Sequence, residues 1–555
     1  MLEFLWIIIL STPLALLPTN YTKNSIKTRI IFATIFYVLL YSTVGYIMQF
    51  SGIPITICYT SIFIMAVDIG LWIYLSKRKI QVLNSFEKIL SKSKYSKFDV
   101  LMGLILVLSF LLFYYIQSRY YSLIAPDSWY WFSGLNYIKD TGTLFVETNV
   151  LNWYPDGFHY LFGITFLPFS ATSSFGLVKL IGPLFGALTI MGLWEYFKDK
   201  EKYLLIASIF YAISMPYLII RFSMFIPEAI GIFFIVATAL ILKDYKLNRA
   251  NLILMATMFG LLTNIYHFTG PILFICVGLI VLIKKLKEIP VYALTYFISS
   301  IFFIYPYLVD YSGLLFYKEH IVDIQCYPQV WLNNIYASGI VFFAKPGVRE
   351  SVIGFPLAIL YPLILLKKGY RKNDILFGSL VIAFSLCLGV SYLFYKNGLA
   401  YRYKPIFAIG SALLFPQFIE FLRDLSKKIL KNKYSKWIII FVILILANRA
   451  LIDLFAFPEI QMANVKTEDS KMILWIDDNV PNESIIIFSE NLFSNKMGLS
   501  EEYYAVLLYP RITAKGTEGY IDGKTCYKLG YFDSNNIVHQ ENDLVLIKCD
   551  ADETK

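Results

Sequence analysis

The feature that most constrains this chain is a succession of apolar runs about 20 residues long. A helix needs ~20 such residues to cross ~30 Å of hydrocarbon. By that measure about 14 runs can span, near 2–18, 30–48, 53–75, 98–116, 174–196, 203–220, 225–242, 250–268, 270–283, 291–308, 351–366, 374–395, 405–422 and 437–456. The stretch 158–170 is apolar but short, as a re-entrant segment would be. Over the 555 residues, 57% are hydrophobic and only 16% charged. A soluble domain has roughly 45–50% apolar and 25% charged residues, so a wholly soluble protein is excluded. The N-terminus lacks the basic flank of a signal peptide, and the first run reads as a retained span.

The charges set a direction. If the loop carrying Lys23, Lys27 and Arg29 is cytoplasmic, alternate loops must be so too. Those loops hold 29 Lys or Arg, against about 10 in the opposite loops. That is a positive-inside pattern. It accounts for much of the net charge of +10 without invoking nucleic acid. The N-terminus and the tail 457–555 are then extracytoplasmic, in an integral protein of the cell membrane.

The expected fold is an all-α polytopic membrane protein of about 14 helices, with a small extracytoplasmic α/β domain at its C-terminus. The tail pairs a helical stretch, Thr467 to Asn479, with β-rich runs at Ser484–Phe488 and Asp543–Lys548. Helices over 1–97 and a membrane module over 98–456 precede the tail domain. The module's long outer loops are 117–173 and 309–350, and such loops are usually functional. Cys58, Cys276 and Cys387 lie in apolar runs and read as buried. Cys526 and Cys549 can pair if the tail is extracytoplasmic, which sequence leaves open.

Polar chemistry concentrates at the outer boundary. Asp127, in Ala125-Pro126-Asp127-Ser128-Trp129-Tyr130, suits both a helix N-cap and a carboxylate above the bilayer. Trp129 and Tyr130 follow it at the interface. Asp156 stands in the Pro-Asp-Gly turn before His159, and His159 reads as an interfacial hydrogen-bonder. Glu228 sits at the end of an apolar run, where a charge must be paired or functional. Arg221 is its natural partner, and facing Asp127 is the alternative. His267 occupies a tight outer link. Tyr401-Arg402-Tyr403-Lys404 places cations outside, where Arg402 and Lys404 can bind a phosphate or snorkel to lipid. Arg449 and Asp453 read as a structural pair. The four histidines have no zinc spacing. Walker A, dinucleotide and His-Glu-x-x-His motifs are missing from the sequence, as is a Gly-x-Ser-x-Gly elbow.

Four segments carry a family resemblance. The stretch Asp127-Ser128-Trp129-Tyr130 through Asp140-Thr141-Gly142 resembles the first-loop acidic motif of GT-C membrane glycosyltransferases. These include protein O-mannosyltransferases, aminoarabinose transferases and oligosaccharyltransferase catalytic subunits. Arg221 to Gly231 is similar to an Arg-then-acidic segment of the oligosaccharyltransferases, with Glu228 the one acid retained. Tyr401-Arg402-Tyr403 is similar to the late basic motif. Leu474 to Pro481 resembles the helix that opens the outer domain, but Ile485 to Glu490 replaces the Trp-Trp-Asp signature expected there.

The resemblance implies inverting transfer of a sugar from a polyprenyl-phosphate donor to a glycan, lipid or protein on the outer face. Asp127 would be the general base, and Arg402 and Lys404 would stabilise the departing phosphate, with Tyr401 beside them. Glu228 would orient the acceptor or join Asp127 in holding a divalent cation, Mg2+ or Mn2+. Trp129, Tyr130, Asp156, His159, Arg221 and His267 would line the substrate, with Lys318, Glu319 and His320 as looser candidates. The rival readings are en bloc transfer to protein, a lipid-linked glycan transporter, and a non-catalytic partner in glycan assembly.

Overall fold

The protein is described by a computed structural model. The described residues are 2–16, 25–77, 96–118, 123, 126–144, 155–213, 216–304, 372–394, 403–429, 467–489, 508, 512–515, 525–531 and 537–549. The outer loop 309–350, the runs 351–366 and 437–456, and the Arg449–Asp453 pair lie outside them.

Among the described residues, the apolar runs fold into helices. In order they are α1 (Leu2–Leu16), α2 (Ile26–Phe50), α3 (Ile57–Lys77), α4 (Lys97–Ser118), α5 (Pro126–Thr141), α6 (Gly157–Thr165), α7 (Ala171–Tyr196), α8 (Lys202–Ile213) and α9 (Pro216–Phe222). Then come α10 (Pro227–Asp244), α11 (Arg249–Thr263), α12 (Thr269–Lys284), α13 (Ile289–Ser299), α14 (Asn373–Phe394) and α15 (Tyr403–Ile429). The tail adds α16 (Thr467–Asn479) and strands β1 (Ile485–Phe488), β2 (Ile512–Lys515), β3 (Cys526–Gly530), β4 (Ile537–Glu541) and β5 (Leu544–Lys548). The result is a largely helical protein of membrane type with a small C-terminal β-sheet.

The count of about 14 spans needs correction. Among the described residues, four helices are long and apolar enough to cross a membrane: α2, α3, α4 and α7. Several other runs fold as shorter apolar helices. The run 203–220 is divided: α8 has 12 residues, only ~18 Å at 1.5 Å per residue, and Pro216 opens the separate α9. A proline suits a first helical turn and disrupts an interior. Cys58 also departs from expectation. It is exposed, whereas Cys276 is buried. The face of α3 that turns inward carries Thr60, Ile64 and Leu75, leaving Cys58 on the outward face.

α10 is the centre of the bundle. Every residue from Pro227 to Leu242 is buried, as an all-round apolar helix requires. It packs against α7, α12, α14 and α15. α2 covers the short α6 and α7, and α1 lies against α3. Trp6 Nε1 donates to Ile164 O at 2.9 Å, and Tyr37 and Thr165 share a hydroxyl contact of 2.9 Å. The first helices are thereby fastened to α6.

Charged groups gather at one end of the bundle. Glu195 at the end of α7 receives Lys198 at 2.8 Å and Lys27 of α2 at 3.8 Å. Lys243 meets Asp199, and Lys200 meets Glu420, each at 2.8 Å. Arg423 reaches Glu201 at 3.0 Å, and Lys284 donates to Asn373 at 2.7 Å. These residues come from loops that the charge pattern assigns to a single side.

The tail sheet has the order β2-β1-β3-β5-β4. β2, β1 and β3 are parallel, whereas β5 and β4 complete it antiparallel. The β4–β5 hairpin turns at Asn542, with φ 52°, a conformation asparagine tolerates well. Cys526 and Cys549 form a disulfide. α16 packs on β4 and β5 on one side and on α7 on the other.

Candidate active site

The end of the bundle opposite the charged cluster brings together α5, α6, the α9–α10 turn and the α11–α12 link. α5 begins at Pro126, so Asp127 lies in its first turn. The Asp127 side chain lies outside the described residues. Its neighbour Ser128 is buried, and the Ser128 hydroxyl accepts from Phe225 N at 3.2 Å. That bond sets the first turn of α5 against the turn leading to Glu228, three residues on from Phe225. Phe225 also packs on Phe158 and Phe162 of α6, with ring centroids 5.0 and 5.1 Å apart.

α10 opens with Pro227, which puts Glu228 in its first turn, where the helix dipole favours an anion. Arg221 Nε lies 2.7 Å from Glu228 Oε2, and Tyr266 donates to Glu228 Oε1 at 3.0 Å. Glu228 is thus held by the partner expected of it and by a tyrosine that sequence reasoning missed. The signal was present in the Asn264-Ile265-Tyr266-His267 link, where His267 drew attention instead. A Cβ on Gly231 would meet Thr269 and the Tyr266 ring, so glycine permits this close approach.

The turn before α6 is tied to the same link. Gly157 N donates to Asn264 O at 3.1 Å and to Tyr46 Oη at 3.0 Å, while Tyr46 donates to Asn264 O at 2.7 Å. Asp156 precedes this knot as the N-cap of α6, without a side-chain capping bond. Burial raises its carboxyl to about 7. Burial likewise lowers the His267 imidazole to about 4, so it is neutral near pH 7. The His267 ring stacks on Phe303, centroids 5.7 Å apart.

The aromatic candidates differ in placement. Trp129 is fully buried against Phe132 and Phe175, so it packs the core. Tyr130 and Trp131 enclose His159, with centroids 5.7 and 4.6 Å away. His159 is fully buried. Neither of its ring nitrogens has a hydrogen-bond partner among the described residues. The structure therefore brings together the segments of Asp127, Asp156, Arg221, Glu228 and His267. Tyr401, Arg402 and the side chain of Lys404 lie outside the described residues, as do Lys318, Glu319 and His320. No group of three or more potential metal ligands occurs among the described residues.

The chain is similar in fold to a solved structure, ArnT from Cupriavidus metallidurans bound to undecaprenyl phosphate. The likeness covers 82% of this chain and 98% of that one, with a TM-score of 0.51 and 11% identity. The two chains share a fold over that length. No protein-family model matches the sequence, and no curated protein does. At this identity the likeness concerns the fold. It adds no residue roles to those argued from the geometry.

Proposed function

We propose that this protein is a membrane glycosyltransferase that moves a sugar from a polyprenyl-phosphate-linked donor to an acceptor on the extracytoplasmic face. The observation that carries the reading is the convergence of the α5, α6 and α10 termini at one end of a GT-C fold. The neighbour that shares this fold was solved with undecaprenyl phosphate, which supports the donor class.

In this reading Asp127 accepts the proton of the acceptor hydroxyl. The acceptor oxygen bonds to the anomeric carbon as the bond from that carbon to the phosphate oxygen breaks. Configuration inverts, and the lipid phosphate leaves with the electron pair. Arg402 and Lys404 hold the charge that develops on it. Glu228 orients the acceptor side of the site through Arg221 and Tyr266. Glu228 is paired with Arg221, and the proposed transfer proceeds without a step through a divalent cation. The extracytoplasmic placement is supported by the alternation of basic loops and by the Cys526–Cys549 disulfide, since disulfides persist in oxidising compartments.

The test is sugar transfer by purified protein in lipid, from synthetic polyprenyl-phosphate donors, with Mg2+, Mn2+ or a chelator present. Wild type should transfer, and Asp127→Asn should fall by ~10²–10⁴-fold, the range of a lost general base. Chelation should leave the rate unchanged. Full activity in folded Asp127→Asn would refute the assignment of the base. Transfer from no donor would refute the function.

A further inference from the structure

α16 ends in Asp477, Asp478 and Asn479. Two adjacent carboxylates in the last turn oppose the helix dipole, which favours cations there. Their contacts supply the reason for them. Asp478 Oδ1 accepts from Ala171 N at 2.9 Å and its Oδ2 from Thr172 N at 3.3 Å. The Thr172 hydroxyl also donates to Oδ2. These are the first residues of α7, whose initial N–H groups have no partner inside the helix. Ser170 already caps Ser173 N at 3.1 Å. The tail thus supplies a second cap to a membrane helix some 300 residues earlier in the chain.

Asp477 makes the other half of the joint. Its Oδ2 accepts from Asn136 Nδ2 at 3.2 Å. Asn136 Oδ1 accepts from Lys139 Nζ at 3.3 Å, and Lys139 donates onward to Ser174 Oγ of α7 at 3.0 Å. The bonds close a ring through α16, α5 and α7. Asn136 is 5% exposed and Ser174 fully buried, so the Asn136 side of the ring is largely shielded from competing water, whereas the Thr172–Asp478 bonds lie at the surface. Burial lowers the Lys139 ammonium to about 8, opposed by the charges of Asp140, Asp477 and Asp478. α5 is the helix that carries Asp127, and Ser128 fixes its other end to Phe225.

We propose that the C-terminal domain is a positioning element of the transfer site. Asp477 and Asp478 clamp α5 and α7, so the seating of the domain sets where the Asp127 turn of α5 lies. The inference rests on the transferase reading, but its structural half is measured without activity. Displacing a catalytic group by ~1 Å can cost ~10²-fold in rate, so a clamp remote from the chemistry can govern turnover.

The experiment uses the full chain in lipid nanodiscs. It compares wild type, Asp477→Ala/Asp478→Ala, and Lys471→Ala, a control that removes an ion pair elsewhere in the domain. Amide hydrogen exchange over 128–141 should quicken at least tenfold in the double variant and stay unchanged in the control. With a donor that supports transfer, kcat should fall by ~10–100-fold while KM for the donor holds. Asp478→Asn, which keeps carbonyl acceptance, should retain more turnover than Asp478→Ala. Should the double variant not fold, each single alanine variant carries the same test. Unchanged exchange in α5, or faster exchange with wild-type kcat, would overturn the clamp. Transfer by no donor would refute the transferase reading instead, and the exchange result would still decide whether the tail holds α5.

Discussion

Asp156 shows how a single residue changes meaning between sequence and structure. In sequence it is the middle of a Pro-Asp-Gly turn. In the fold it caps α6 without a capping bond, and burial raises its carboxyl to about 7 from 3.8. A raised carboxyl means the folded state binds its proton more tightly than the unfolded chain does. Its contribution to stability is therefore fully present below pH ~4 and is lost as pH rises through ~7. Asp156→Asn should flatten the stability profile between those pH values. At pH 8 it should raise stability by ~1–4 kcal/mol, the upper figure following from ~1.4 kcal/mol per pH unit. Thermal melts of both proteins from pH 4 to 8 check this; parallel profiles would show that Asp156 titrates normally. The Glu228–Arg221 pair was legible because the two lie seven residues apart around Pro227, at the end of an apolar run. Tyr46 and Asn264 were not. Their hydrogen bond joins residues 218 apart, and no local pattern encodes such a meeting.

Among the elements, the crossing of α5 and α6 is a tight contact near the site. A Cβ on Gly134 would run into the His159 ring, and one on Gly163 into Ile138. Each helix thus presents a glycine to the other's bulky side chain. Gly134→Ala adds helix propensity worth up to ~1 kcal/mol but must displace a ring enclosed by Tyr130 and Trp131. Overpacking of a dense interior usually costs ~1–3 kcal/mol, so the variant should be destabilised on balance. Gly176→Ala in α7, where an added Cβ meets nothing within 4 Å, should be neutral or better. Chemical or thermal denaturation of the two variants beside wild type checks the contrast, and equal stability would show that the α5–α6 contact yields freely. The boundaries of α16, β1 and β5 were readable because amphipathic and β-branched patterns are local. The break between α8 and α9 was not, because the apolar run continues across Pro216.

For the whole molecule, the deciding question is which end faces outward. Basic loops dispersed through the sequence converge at one end, where Lys27, Lys198, Lys243 and Arg423 find acidic partners. The helix termini that carry Asp127, Asp156 and Glu228 lie at the other. Composition and charge alternation made this polarity legible, although span lengths did not follow from hydropathy. Apolar runs that bury themselves in protein need not match the thickness of a bilayer. The positive-inside pattern predicts that the Lys-rich end is cytoplasmic. A membrane-impermeant maleimide can test this on a parent with Cys58, Cys276, Cys326 and Cys387 replaced by Ser, the native disulfide retained. Cysteine at Asn542, in the exposed hairpin turn of the tail, should label in intact cells. Cysteine at Lys287, in the short link before α13, should label only after the membrane is opened. The reverse pattern would place the Asp127 end in the cytoplasm, where lipid-linked donors on the outer leaflet could not reach it, and would remove the basis for outer-face transfer.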